Sequence, residues 1–358
     1  MKKIFVAFLT LAVAGGWLVA QDAPTFTWGG EFITGAHVVV KEALDDPLLT
    51  LANDDGNNRV RLNGTVDGTT YGFKFRLQAS NVAVADTRAV TIPWAFGWVT
   101  GFNGLLKVTA GQIDGKVWNT PGKVDAGWDA DAAVRFEFKP LDGLNVGFAL
   151  KPDGLVNPKD LAGGYAIADV LQETVIGVSY TGISNLTIRG SLKLDGDGDE
   201  AKDMNAGFGI NYTGIPNLTT AALDFAGLYL GDLEDDGDGE IRIGQKVTYA
   251  AGALTLQLAA REYIFTRKDT DIGIWIEPEV SYKINDSWKG TFYAGIGSGD
   301  VFEHLGFEIK PSLTYTQGKA TVDFIYKFNS HDTRPDLYKV AADGSTLQAI
   351  GVNFKWQF

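Results

Sequence analysis

The 358 residues carry 31 basic and 44 acidic side chains, 44 glycines, 11 prolines and no cysteine. The missing cysteine excludes a disulfide scaffold, thiol chemistry and a lipid-anchored N-terminus. The acidity argues against nucleic acid as a partner, and 45% hydrophobic residues argue against a disordered chain.

At the N-terminus Lys2 and Lys3 precede an apolar run over residues 4–14, and Ala20 is a small residue suited to a cleavage point. This is the pattern of an export signal over 1–20, leaving 21–358 as a single domain. Gly15 and Gly16 interrupt the run, which makes it too short for a membrane anchor. Loss of Lys2 and Lys3 leaves 29 basic against 44 acidic residues, a balance of −15. No later stretch is long and apolar enough to cross a membrane as a helix.

The rest of the chain is a series of alternating segments. Over 59–66, Val60, Leu62 and Val66 oppose Arg59, Arg61, Asn63 and Thr65; Val134, Phe136 and Phe138 oppose Arg135, Glu137 and Lys139. Over 185–194, Leu186, Ile188, Leu192 and Leu194 oppose Thr187, Arg189, Ser191 and Lys193. Over 320–328, Val322, Phe324, Tyr326 and Phe328 oppose Thr321, Asp323 and Lys327, with Ile325 the one apolar residue on the polar side. Period-two alternation predicts strands with one apolar and one polar face, which suits a soluble sandwich as well as a membrane barrel.

Turn spacing favours the barrel. Tight-turn signals fall at Asp67-Gly68, Asn103-Gly104, Asp142-Gly143, Ser184-Asn185, Pro216-Asn217, Ala251-Gly252, Asn285-Asp286 and Gln317-Gly318. Their steps of roughly 32 to 42 residues match two membrane-length strands plus one loop. Longer polar segments lie between them at 40–57, 112–130, 152–170, 195–203, 231–239 and 330–344. A weak repeat, Tyr180-Thr-Gly-Ile-Ser-Asn-Leu-Thr187 and Tyr212-Thr-Gly-Ile-Pro-Asn-Leu-Thr219, marks two successive hairpin units. The expectation is an all-β, antiparallel, up-and-down transmembrane β-barrel of about 18 strands, with 16 as the alternative. Residues 80–100 are the least legible stretch.

The chain ends at Phe358, with Ile350, Val352, Phe354 and Trp356 at alternate positions before it. In this the sequence resembles bacterial outer-membrane β-barrel porins; its cleavage site, relaxed by the large Leu18 two residues before Ala20, and its aromatic-rich strands resemble the spirochaete type. The resemblance implies that the last strand is read by the barrel insertion machinery. It also implies short periplasmic turns, longer outer loops, an outer-membrane location, lipid as a partner, and homotrimers as a common state. Trp28, Tyr71, Trp98, Tyr180, Tyr212, Tyr282, Trp288, Tyr315 and Trp356 lie near strand ends, where aromatic girdles form.

In such a barrel the polar face lines the lumen. It carries Arg59, Arg61, Lys74, Arg76, Arg135, Lys139, Arg189, Lys193, Arg242, Lys246 and Arg261, with Glu137, Glu277, Glu279, Glu308 and Asp323. Opposed charges across a pore orient and select solutes; the alternative is that they pair and fill the lumen. The third outer loop, 112–130, carries Asp114, Asp125 and Asp129. It is similar in order and sign to the loop that narrows general porins, with loop 152–170 as a rival. Asp195, Asp197 and Asp199, and Asp232, Glu234 and Asp236, partly match a calcium loop but lack its closing glutamate.

No cofactor and no enzymatic activity are expected. His37, His304 and His331 are the only histidines, and no nucleophile-elbow, zinc or phosphate-loop motif occurs. The functional expectation is a water-filled channel for passive diffusion of small hydrophilic solutes or ions. The alternatives are a non-conducting adhesin-type barrel and a substrate-specific channel. A sugar channel would want a ladder of lumen aromatics, and alternation points only Trp275 and Tyr293 inward.

Overall fold

The computed structural model describes residues 23–41, 47–53, 58–80, 89–114, 117–124, 133–150, 174–197, 200–228, 239–266, 271–299, 302–330 and 346–358. The strands, in order, are β1 (Thr25–Lys41), β2 (Leu48–Thr50), β3 (Arg59–Asp67), β4 (Tyr71–Ser80), β5 (Ala89–Gly101) and β6 (Leu106–Gln112). Then come β7 (Val134–Leu141), β8 (Leu144–Leu150), β9 (Val175–Tyr180), β10 (Leu186–Asp197), β11 (Glu200–Tyr212), β12 (Leu218–Leu228) and β13 (Gly239–Ala251). The last six are β14 (Leu254–Thr266), β15 (Asp271–Lys283), β16 (Trp288–Gly299), β17 (Phe302–Gln317), β18 (Ala320–Ser330) and β19 (Leu347–Gln357).

From β3 to β19 each strand pairs antiparallel with the next, and β1 closes the sheet between β19 and β3. The result is a barrel of 18 strands, with β2 as an extra strand on the far end of β1 at His37–Val39. The final residue seals the ring. Gly30 and Phe358 exchange backbone hydrogen bonds of 2.9 and 3.0 Å, and the Phe358 ring lies where a Cβ on Gly30 would sit.

All eight short turns fall where the sequence puts them, and their chemistry explains why. Asn185 and Asn217 take φ of 64° and 65°, and the next leucine's N–H returns to the isoleucine carbonyl two residues before each asparagine. Asparagine tolerates that left-handed geometry, so the repeated octapeptide is one turn written twice. The Asn285 side chain accepts N–H bonds from Ser287 and Trp288 at 2.9 and 3.0 Å.

The polarity is inverted relative to a soluble protein. Phe324, Phe292, Ile350 and Trp356 on the outer face are 46%, 48%, 62% and 57% exposed, whereas Arg135, Glu137, Glu277 and Lys327 on the inner face are buried. Trp288 contacts Tyr315 and Phe324, and Trp28 contacts Phe26 and Phe75, in outer rings near the short-turn end.

Two expectations need correction. Residues 195–203 are largely strand, since β10 runs to Asp197 and β11 starts at Glu200. Trp98 is not a girdle residue. It stands opposite Gly72 and Thr109 on the inner face, because β5 carries an extra residue near Pro93 that resets the alternation. Proline lacks the ladder N–H, so inside a strand it marks such a bulge.

Candidate functional site

The inner wall is built from charges that the register brings side by side. Glu31 on β1 meets Arg61 at 3.0 Å, Arg59 at 3.7 Å and Lys355 at 3.6 Å. On β7, Arg135 donates to Glu137 at 3.1 Å, and Glu137 also takes Lys107 at 3.8 Å and Asn145 at 2.9 Å. Glu277 on β15 gathers Lys123 at 2.9 Å, Arg261 at 3.3 Å and the Tyr293 hydroxyl at 2.9 Å. Glu308 pairs with Lys327 at 3.7 Å.

The remaining expected wall residues keep this face. Arg76 donates to Asn63 at 2.8 Å, Glu279 accepts from Ser281 at 3.4 Å, and Arg189 reaches the Asn119 carbonyl at 3.5 Å. Lys74 lies between Asn63's neighbour Thr65 and Phe96 in the ladder. Lys139 is exposed at the short-turn end of β7, where its amide bonds the Leu105 carbonyl.

The loop after β6 lies along this wall. From β6 to Val124, the described residues touch β8, β9, β10, β11, β12 and β13, and Lys123 reaches β15. The Trp118 ring fills the space a Cβ on Gly177 would take and stands 3.1 Å from one on Gly147. Pro121 comes within 2.7 Å of the corresponding point on Gly209, and Val124 within 2.8 Å of that on Gly244. Four glycines, one each on β8, β9, β11 and β13, thus form a bare track for the loop. Any side chain there would push the loop off the wall. Trp118 is fully buried with Ile113, Ala149 and Val175, and Phe96 packs against the same cluster.

Asp224 on β12 ties the loop down. It is fully buried and accepts the Lys123 amide at 3.2 Å and the Val124 amide at 3.0 Å, with further bonds from Thr120 and Gly122. A buried carboxylate is tolerable only with such a set of donors. Lys123 then crosses to Glu277, so one short stretch is held by a carboxylate on each of two strands.

Asp114, at the root of the loop, acts electrostatically on Arg76, as do Arg61 and Glu31. Asp125 and Asp129 lie outside the described residues, as do Asp199, Asp232, Glu234 and Asp236, and the side chains of Asp195 and Asp197. Among the described residues no three metal-ligating side chains converge.

Sequence reasoning missed several wall residues. Glu31, Lys107 and Asp224 are single charges within otherwise apolar or small-residue stretches, and only the register shows their partners; Lys123, in the loop, finds Glu277 only through the loop's path. It also missed that Trp94 and Phe96 join Trp98 on the inner face of β5. Their centroids are 5.7 and 6.2 Å apart along the strand. Pro93 was the available signal. Trp275, expected inward, is 3% exposed and lies over Gly295 and Gly297.

No protein-family model and no curated relative matches the sequence. Among solved structures, an anion-selective porin from Comamonas acidovorans superposes with a TM-score of 0.54 at 14% identity, over 94% of this chain and all of the other. A loop-deleted form of OmpT, an outer membrane protein of Vibrio cholerae, gives 0.51 at 13% identity over 94% of this chain and all of the other. The fold is the one these barrels share.

Proposed function

We propose that the protein is an outer-membrane porin, a water-filled channel through which small hydrophilic solutes and ions diffuse. One observation carries this reading. A closed barrel of 18 strands turns its exposed apolar side chains outward and its ionised ones inward. Only lipid suits the first face, and a barrel this wide is too large for its own wall side chains to fill. The loop supports the reading because it lies along the wall, which narrows a lumen without plugging it.

In this proposal Arg59, Arg61, Lys74, Arg76, Arg135, Arg189, Glu277, Glu279 and Glu308 line the passage, and Lys139 stands at its periplasmic mouth. Asp114, at the root of the loop, acts on Arg76 in the basic wall of β3 and β4, so a transverse field orients solutes there. The short turns face the periplasm. The strand ending at Phe358 is presented to the insertion machinery, and the barrel associates as a homotrimer like other porins. The spirochaete-type resemblance rests on the leader and the aromatic content.

Reconstitution into planar bilayers tests the proposal. Discrete, long-lived conductance steps with a reversal potential under a salt gradient are expected. A correctly folded barrel that never conducts would instead mark a filled, adhesin-type protein.

A further inference from the structure

The rings on β5 do not stand alone. The Arg76 guanidinium lies 4.9 Å from the centroid of Trp94, and the ammonium groups of Lys74 and Lys107 lie 5.4 and 5.6 Å from that of Trp98. A cation over an aromatic face is held in place without losing its charge.

That separates Lys74 and Arg76 from much of the wall, whereas Lys107 also reaches Glu137 at 3.8 Å. Arg59, Arg61, Lys123, Arg135, Arg261 and Lys327 each have a carboxylate within ion-pair distance. Among the described residues none lies that close to Lys74 or Arg76, and Asp114 acts on Arg76 only from farther away. The strip on β4–β6 therefore offers net positive charge beside flat apolar surface. Phe96 and Trp98 are half-buried, so part of each ring is open to the lumen. The indole N–H of Trp94, beside Arg76, makes no hydrogen bond among the described residues.

We infer that this strip is a binding site for aromatic carboxylates, with Arg76 and Lys74 taking the carboxylate and the Phe96–Trp98 surface taking the ring. An inorganic anion uses only the charge, and a neutral sugar uses only the rings; an aromatic acid uses both. The inference deepens the channel reading, which supplies its access route. Weak, reversible occupancy is required, since a channel site that holds its solute tightly blocks itself.

The test is isothermal titration of the intact protein in detergent with benzoate, and in separate runs with acetate and glucose 6-phosphate. Saturable benzoate binding is expected, with acetate bound at least tenfold more weakly. Trp98→Ala should weaken benzoate binding about fivefold, Trp98→Phe should restore most of it, and Arg76→Gln should weaken benzoate and acetate alike. Retained heat-modifiable migration in gels verifies that each variant is folded. Equal binding of benzoate and acetate, stronger binding of glucose 6-phosphate, or a folded Trp98→Ala that binds as well as the parent would overturn the assignment. Bilayer recording separates it from the channel reading. Conductance without any benzoate binding removes the strip and leaves the pore, whereas benzoate binding without conductance removes the pore and leaves the strip.

Discussion

The walls formed by β4–β6 and by β12–β15 contain similar side chains put to opposite uses. On β12–β15 the carboxylates of Asp224 and Glu277 are spent on structure. Asp224 caps loop amides, and Glu277 collects Lys123, Arg261 and Tyr293. On β4 the cations Lys74 and Arg76 rest on indole rings and an asparagine, with no carboxylate at ion-pair distance among the described residues. Counting charges on a lumen wall therefore says little about selectivity. What matters is whether each cation's neighbour is a carboxylate or a neutral ring.

The largest expected effect comes from cutting the loop off the β8–β13 track. Trp118→Ala removes a fully buried indole, a loss of about 3–5 kcal/mol in docking energy. Single-channel conductance should rise and become noisy, and the loop should become open to protease. Gly177→Leu should reach the same state from the wall side, because the new side chain occupies the space of the indole. Asp224→Ala comes next. It strands the Lys123 and Val124 amides, costs about 1–3 kcal/mol, and should give gating noise with a smaller conductance rise.

Charge variants sharpen the contrast at lower energetic cost. Arg76→Gln should shift the reversal potential toward cations while changing stability by about 0.5 kcal/mol or less. Glu277→Gln should shift it the other way, because Lys123 and Arg261 lose their counter-charge. Equal and negligible shifts in both would erase the distinction between the walls. The smallest effect belongs to the turn between β15 and β16. There the Lys283 ammonium, at 2.7 Å, holds the exposed Asp286 carboxyl below its usual range. In Lys283→Ala that carboxyl should titrate higher by NMR, with no measurable change in unfolding. The sign is that of a depressed acid: any contribution exists at neutral pH and fades as pH falls through the folded-state value.

The strand count was legible because the turns are local chemistry. Asn185, Asn217, Gly143, Gly252 and Gly318 sit at positive φ, which the sequence announces residue by residue. β5 was not legible, because the residue added near Pro93 inverts the face of every aromatic after it. The loop's path was hidden for another reason. Gly147, Gly177, Gly209 and Gly244 are unremarkable singly and about 30 residues apart, and only the sheet register lines them up. Asp224, one acid inside Ala-Ala-Leu-Asp-Phe-Ala, likewise has no local signature.

Because the chain has no cysteine, single-cysteine labelling tests the central claim most directly. Lys246 and Val247 are adjacent on β13, the first facing Ala222 and Ala259 on the inner side and the second 42% exposed on the outer side. In lipid vesicles, Lys246→Cys should react with a charged, water-soluble thiol reagent and lose current on reaction, whereas Val247→Cys should stay unmodified until the bilayer is dissolved. Rapid labelling of Val247→Cys together with protection of Lys246→Cys would contradict an aqueous lumen inside a lipid-facing barrel.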